Sequence, residues 1–155
     1  MAHSAATRRN TGQHSRPHPL RLPEDRPPSA VLDLGALPTA ARSARAWTRQ
    51  VLRDWQVSVL SDTAELIVSE LTTNAMLASR GRGHASIRLT LTLDHGELAI
   101  SVHDHCPSTP EPGNAAHDDE NGRGLLLVEA MSSRSGWYTP EDGTPGKVVW
   151  AALAS

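Results

Sequence analysis

The sequence predicts an α+β protein, a two-layer α/β sandwich in which helices pack on one face of a mixed, mainly antiparallel sheet. Two segments repeat apolar residues every three to four positions, as amphipathic helices do. Other segments have the length and alternation of strands, and short turns join them in pairs. Helices interleaved with hairpins are typical of this fold class.

The first predicted elements are a short edge strand at residues 31–34 and two helices. The first helix runs from about residue 38 or 39 to 55, and its predicted buried stripe is Ala40, Ala44, Trp47, Val51 and Trp55. The second helix covers about residues 63–79. Asp62 and Glu65 have capping-box spacing, which predicts that Asp62 caps this helix and that Glu65 reaches back to it.

The second half of the chain is predicted to form a hairpin, a long loop, a third helix and two final strands. The run Gly122-Arg123-Gly124 is expected to open the third helix. The predicted ranges are 86–93 and 97–102 for the hairpin strands, 106–121 for the loop, 125–132 for the helix, and 135–138 and 147–153 for the last strands. A loop this long inside a compact domain is usually functional or mobile.

Composition and length predict one folded domain, residues 29–155, after an arm rich in proline and arginine, residues 1–28, that we expect to be disordered. The first 30 residues carry a net charge of +3, and the remaining 125 carry −5. An acidic folded body lacks the basic face that phosphate contacts to nucleic acid require. Direct binding of nucleic acid is therefore not expected.

The chain has 155 residues and a single cysteine, Cys106, which excludes an internal disulfide and a multi-cysteine zinc site. No apolar run approaches the ~18 residues that a membrane helix needs, and the first 30 residues contain no hydrophobic signal segment. We therefore expect a cytoplasmic protein without a membrane association.

Glu70 and Asn74 are candidates for chemistry because they lie four residues apart, on one face of the second predicted helix. A carboxylate beside an amide oxygen can hold a hard cation such as Mg²⁺, or the carboxylate can take a proton from an attacking hydroxyl. The spacing alone is equally that of an ordinary polar helix face, so both interpretations stay open.

Asp104 and the glycine run are further candidates. Asp104 ends a predicted strand, where a carboxylate can accept a hydrogen bond from the exocyclic amine of a base such as adenine. Gly122 and Gly124 precede a predicted helix, whose N-terminus suits phosphate. Each feature also has a simpler explanation, a loop-capping aspartate and ordinary turn chemistry.

Two other patterns are set aside. Residues 143–148 end in a Gly-Lys pair but lack the spacing and the Ser or Thr of a phosphate-binding P-loop. His103, His105 and Cys106 are close in sequence, but the two histidines flank Asp104 in a strand, and no second cysteine exists. Neither zinc binding nor a nucleophilic Cys106 is expected.

Taken in order, the motifs resemble the histidine-kinase-like (GHKL, or Bergerat-fold) ATPases. Residues 70–75 (ELTTNA) resemble their N box, Asp104 stands where their adenine-binding aspartate stands, and residues 122–125 (GRGL) resemble their second glycine box. Residues 68–75 and 146–150 are typical of a short bacterial branch. That branch contains the anti-sigma-factor serine/threonine kinases and stand-alone ATP-binding regulators of actinobacteria.

The resemblance covers about residues 31–153 and implies ATP and Mg²⁺ as cofactors. It implies that Asn74 coordinates Mg²⁺, that Glu70 is the general base, and that Asp104 accepts from the adenine amino group. Residues 106–121 would be the ATP lid, and backbone amides of the last motif would contact phosphate, which assigns nucleotide binding to Gly122, Arg123, Gly124 and Leu125. The chain departs from the family at His105, where a small residue is usual, and after Ala75, where a basic residue or histidine is usual.

The function expected from this resemblance is a serine/threonine kinase of the anti-sigma-factor type, which phosphorylates a small partner protein. The alternative is a non-catalytic ATP-binding module that sequesters its partner. The expected partner is an anti-anti-sigma-type protein or a sigma factor, and a homodimer is also compatible with the resemblance.

Overall fold

The computed structural model describes residues 26–80, 85–107 and 119–155. The predicted arm, residues 1–28, lies outside the described residues except for its last three. Most of the predicted lid, residues 106–121, also lies outside them. The first described strand begins at Ser29, two residues before the predicted one.

The described strands and helices follow one another in the predicted order. They are β1 (Ser29–Gly35), α1 (Ala40–Asp54), α2 (Ser61–Ala78), β2 (Ser86–Asp94), β3 (Glu97–Asp104), α3 (Asp119–Met131), β4 (Arg134–Tyr138) and β5 (Lys147–Ala154). A short 3₁₀ turn, Ser58–Leu60, leads directly into α2. Within the described ranges, no helix combines the length and the apolar character needed to cross a bilayer.

The five described strands form one sheet in the order β1-β2-β3-β5-β4, and all four pairings between them are antiparallel. This confirms the predicted α+β class with a mainly antiparallel sheet. Strand β3 lies in the middle, and its last residue, Asp104, is paired in register with Lys147, the first residue of β5. The end of β3 and the start of β5 therefore lie side by side at one end of the sheet.

The hydrophobic core lies between the helices and one face of the sheet. Alternate residues of β3 are buried, and these are Leu98, Ile100, Val102 and Asp104. Side chains alternate between the two faces of a strand, so Asp104 points to the same face as the apolar residues before it. Helix α2 packs on β3 and contributes Ile67, Val68, Leu71 and Ala75 to this core.

The buried side of α1 differs in part from the predicted stripe. Ala40 and Ala44 are buried as predicted, but the positions completely covered further along are Thr48 and Leu52. Trp47, Val51 and Trp55 pack on the core while keeping some exposure. The helix is thus rotated so that Trp47 and, just after its last residue, Trp55 lie at the margin of the interface.

The start of α2 corrects the predicted capping box. The helix begins at Ser61, the preceding 3₁₀ turn supplies its entry, and no side chain caps it. Glu65 instead accepts hydrogen bonds from Ser61 Oγ at 2.8 Å and from Arg49 Nη2 of α1 at 2.5 Å. The hydrogen bond from Arg49 is the main cause that holds the pKa of Glu65 below its usual range. The Glu65 carboxylate, which the local pattern assigned to a capping box, therefore forms an ion pair between α1 and α2 instead.

Helix α3 begins at Asp119, six residues before the predicted start at Leu125. The prediction relied on glycine as a helix breaker, but a glycine inside a helix costs only about 1 kcal/mol relative to alanine. Acidic residue types at positions 119 and 120 favour a first helical turn, because the helix N-terminus carries partial positive charge. Gly122, Arg123 and Gly124 consequently lie inside the helix rather than before it.

Candidate functional site

Asp104 is a carboxylate held in the interior, with 1% of its surface exposed. Its Oδ1 atom accepts a hydrogen bond from the backbone N–H of Cys106 at 2.8 Å and another from Lys147 Nζ at 3.1 Å. Both contacts end on the same oxygen. Within the described residues, Oδ2 has no hydrogen bond, so one acceptor of a fixed carboxylate is available to a ligand.

Lys147 is a site residue that the sequence analysis missed. Its side chain is buried, with 6% of the residue exposed, and its ammonium also lies 3.4 Å from the carbonyl oxygen of Cys106. In the sequence, Lys147 belongs to residues 143–148, which do not match a P-loop, and to residues 146–150, which are typical of the family branch. Its position beside Asp104 depends on the register between β3 and β5, which no local pattern encodes.

Gly146 shapes the turn that brings Lys147 to Asp104. Its φ of +103° is a backbone conformation that residues with a side chain rarely adopt. A Cβ atom at this position would overlap the carbonyl oxygen of Asp104 and lie 2.7 Å from the Cα atom of His105. Glycine is therefore required both for the backbone conformation and for the close approach of the two strand ends.

Asn74 lies on the face of α2 that the sequence analysis selected. Its neighbours Leu71 and Ala75 are buried in the core, which fixes the orientation of this part of the helix. Both Oδ1 and Nδ2 of Asn74 are shielded from solvent, and neither has a hydrogen-bond partner among the described residues. Buried polar groups are normally satisfied, so this amide is a candidate to hold a ligand. Its oxygen is of the type that Mg²⁺ accepts, and Asn74 thus fits the predicted cation site.

Glu70 and Gly124 bring the first and third motifs into contact. Helix α2 packs against α3. A Cβ atom added to Gly124 would overlap Oε2 of Glu70 and lie 3.3 Å from its Cδ atom. The absence of a side chain at Gly124 thus lets the Glu70 carboxylate rest against the backbone of α3.

The remaining residues of the glycine motif have a different setting from the predicted one. In a helix that begins at Asp119, the amides of Gly122, Arg123 and Gly124 fall within the helical hydrogen-bond ladder. They are therefore not free donors at a helix N-terminus in this conformation. Leu125 is partly buried and packs against the core.

The histidines near Asp104 lie away from it. The rings of His103 and His105 meet edge to face, with centroids 4.8 Å apart. His105 Nε2 is 3.5 Å from Ser86 Oγ, and His103 Nε2 is 2.9 Å from the carbonyl oxygen of Pro145. His105 is exposed, so this departure from the family pattern projects towards solvent and its neighbouring histidine.

The candidate site therefore consists of two clusters that α2 connects. Asp104, Cys106, Gly146 and Lys147 form one cluster where β3 and β5 meet. Glu70 and Gly124 are in contact in the other, with Asn74 one helical turn further along α2. Because α2 packs on both β3 and α3, it holds the two clusters in a fixed relation.

One comparison with known proteins bears on this arrangement. A sequence profile described as a histidine kinase-like ATPase domain matches residues 34–153. The match extends from the end of β1 to the penultimate residue of β5, so it includes every residue of both clusters. No curated protein matches the chain in sequence.

Proposed function

The chain belongs to the histidine kinase-like ATPase domain family, and from that membership we propose that it is an ATP- and Mg²⁺-dependent serine/threonine kinase acting on a small partner protein. Family membership supports ATP binding and a regulatory role. The kinase activity is our finer proposal. The observation that carries it is the face of α2, which offers a carboxylate at Glu70 and, at Asn74, a buried amide without a partner in the described part of the chain.

Asn74 is the residue proposed to hold the cation. A bound Mg²⁺ would neutralise phosphate charge, which is the main requirement of phosphoryl transfer. The side-chain oxygen of Asn74 can serve as a ligand without further rearrangement, because the core neighbours of this residue fix its position on α2. Ligand binding would also satisfy the amide oxygen that the described residues leave without a partner.

Glu70 is proposed as the general base. Its carboxylate would accept the proton of the partner's serine or threonine hydroxyl as the hydroxyl oxygen forms a bond to the γ-phosphorus. The bond between that phosphorus and the β,γ-bridging oxygen breaks, and ADP leaves. Contact with Gly124 keeps the carboxylate at the junction of α2 and α3, beside the motif proposed to meet the phosphates.

Asp104 is proposed to recognise the base. The Oδ2 atom, which has no hydrogen bond to the described residues, would accept one from the adenine amino group, while Oδ1 remains bonded to the backbone of Cys106 and to Lys147. Hydrogen bonds to charged groups contribute about 1.5–3 kcal/mol. Base recognition and phosphate binding would thus use different elements, β3 in one case and α2 with α3 in the other.

The partner is proposed from the family branch that residues 68–75 and 146–150 resemble. It would be an anti-anti-sigma-type protein whose serine or threonine is phosphorylated, or a sigma factor that is sequestered. Homodimerisation belongs to the same proposal, and sedimentation analysis of the purified chain with and without ATP would test it.

A non-catalytic ATP-binding module is the second candidate, and one observation favours it. The amides of the glycine motif are already used inside α3, so holding the γ-phosphate for transfer would require the first turns of this helix to rearrange, whereas base recognition at Asp104 would not. In this case the nucleotide would stabilise a surface that sequesters a partner, and no phosphoryl group would be transferred.

ATP binding is best tested by calorimetric titration with and without Mg²⁺, on the wild type and on Asp104→Asn. The substitution keeps an oxygen for Cys106 and Lys147 but places an NH₂ group, which cannot accept a hydrogen bond, opposite the adenine amine. We expect the affinity for ATP to fall by about tenfold or more. Asp33→Asn, which changes an exposed carboxylate on β1, is the matched control and should bind ATP like the wild type.

Transfer is tested by incubating γ-labelled ATP and the protein with candidate partners. Label on a serine or threonine of the partner supports the kinase, whereas a stable complex without label supports the sequestering module. A wild type that binds no ATP would contradict both candidates.

A further inference from the structure

Lys147 is buried in the interior, where an ammonium group is rarely found without a partner. It is also the chain's single lysine, against fourteen arginines. Burial of a charged group is costly unless its geometry and hydrogen bonds are good. The contacts of Lys147 identify its partner, since its Nζ atom lies 3.1 Å from Asp104 Oδ1.

The contacts of Lys147 are confined to one side of the Asp104 carboxylate. The ammonium and the Cys106 N–H both donate to Oδ1, and the ammonium also reaches the Cys106 carbonyl oxygen at 3.4 Å. The carboxylate is thereby fixed in rotation about its side chain, with Oδ2 directed away from these donors. Preorganisation of this kind reduces the cost of ordering when a ligand binds.

The position of Lys147 is built into the backbone. Gly146 adopts a φ of +103° and lies against the backbone of Asp104 and His105, and the register then places Lys147 opposite Asp104. The backbone conformation at the start of β5 thus places the ammonium near the carboxylate. The position of Lys147 therefore depends on the backbone as well as on its flexible side chain.

We infer that Lys147 is a positioning residue that makes Asp104 selective for a purine bearing an exocyclic amine at ring position 6. The inference rests on the proposed ATP-binding function and adds a residue to it. Lys147 and the Cys106 N–H both hold Oδ1, so the carboxylate presents Oδ2 as an acceptor that pairs with an amine and opposes a 6-oxo group. Without Lys147, only the Cys106 N–H would hold Oδ1, and Oδ2 would be less firmly oriented towards the amine.

The test measures calorimetric affinities for three nucleotides: ATP, ITP, which has an oxo group at position 6, and the triphosphate of purine riboside, which has neither group. The wild type should bind ATP about tenfold or more tightly than either analogue. Lys147→Met should lose most of this preference while its affinity for the purine riboside analogue stays within about twofold. Lys147→Arg keeps a cation and should retain the preference in large part.

Two further variants make the result specific to the Asp104 contact. Arg88→Met removes the cation of an exposed ion pair on β2 and should leave all three affinities unchanged. In the Asp104→Asn background, adding Lys147→Met should have no further effect on the ratio of ATP to purine riboside affinity, because the two residues act through one contact. This double variant also buries no unpaired charge, so it provides a folded test if Lys147→Met does not fold.

The inference is overturned if Lys147→Met weakens all three nucleotides by the same factor, or if the double variant shows additive effects. Either result would give Lys147 a structural role only and leave ATP binding by the wild type intact. If the wild type itself binds none of the three nucleotides, the proposed function fails instead.

Discussion

The two ends of the candidate site differ in how their polar groups are satisfied. At the proposed base end, formed by Asp104, Cys106, Gly146 and Lys147, the two buried charges are paired, and among the described residues one carboxylate oxygen, Oδ2, has no hydrogen bond. At the proposed phosphate end, formed by Glu70, Asn74 and residues 122–124, both amide atoms of Asn74 are buried without a partner among the described residues. The charged groups of the first end therefore satisfy each other, whereas the buried amide of the second has no such partner within the described residues.

This difference indicates that the two ends contribute to the fold in different ways. Removing one member of a buried ion pair leaves the other charge unpaired in the interior, so a single change at Asp104 or Lys147 should weaken the protein even without nucleotide. A buried polar group without a partner costs stability, so its removal should be tolerated. Changes at the phosphate end should consequently affect ligand binding and catalysis rather than folding.

The largest expected effect is kinetic and belongs to the phosphate end. Glu70→Gln removes the proposed base but keeps the shape of the side chain, so phosphoryl transfer should fall by roughly 10²–10⁴. The affinity for ATP should change little, because the base acts on the attacking hydroxyl. Initial rates with labelled ATP and an identified partner measure the first quantity, and calorimetry measures the second. Unchanged transfer would remove Glu70 from the mechanism.

The next effect is on stability and belongs to the base end. Gly146→Ala places a Cβ atom against the backbone of Asp104 at a positive φ, so the free energy of unfolding should fall by about 3 kcal/mol. Chemical denaturation without nucleotide measures this change. Gly143→Ala is the matched control: this glycine also has a positive φ, but a Cβ atom there would meet nothing within 4 Å. If both variants show the same decrease in the free energy of unfolding, the close approach of Gly146 to Asp104 does not explain the effect.

Asn74→Ala should separate folding from ligand binding at the phosphate end. The free energy of unfolding without nucleotide should change by less than about 1 kcal/mol, because the buried amide atoms lose no hydrogen bond when they are removed. The gain in ATP affinity on addition of Mg²⁺ should disappear. Titrations with and without Mg²⁺, together with denaturation curves, test both parts. A large loss of stability would show that the Asn74 amide has a structural partner.

The smallest expected effect is a change in stability caused by a substitution outside the site. It tests whether a buried polar group without a partner always belongs to a ligand site. Thr48 in α1 is fully buried, and its hydroxyl has no partner among the described residues. Thr48→Val keeps the shape and removes the unsatisfied oxygen, so the free energy of unfolding should rise by about 1 kcal/mol. ATP binding should be unaffected. If ATP binding falls instead, Thr48 belongs to the ligand site as Asn74 does.

Local patterns were sufficient to predict most of the fold. The apolar repeat located α1 and α2, and the alternation of apolar residues located β3. These signals are short-range, because the period of a helix or strand is set by its own backbone. The α+β class followed from the order of the elements.

The sequence could not show where contacts distant in the chain replace local ones. Glu65 forms an ion pair with Arg49 instead of a capping box, because the packing of α1 on α2 brings the two side chains together. Lys147 reaches Asp104 through a strand register that joins residues 43 positions apart. The start of α3 was also missed, since glycines were given more weight than the acidic residues before them.

The position of β3 in the sheet has a consequence for how the protein loses function on heating. This strand is the third of five, so partial opening that starts at either margin, β1 or β4, leaves its hydrogen bonds to β2 and β5 intact. The amides of residues 98–103 should consequently exchange with solvent only through global unfolding. The proposed recognition of a nucleobase at Asp104 should then persist up to the main thermal transition and vanish together with the native state.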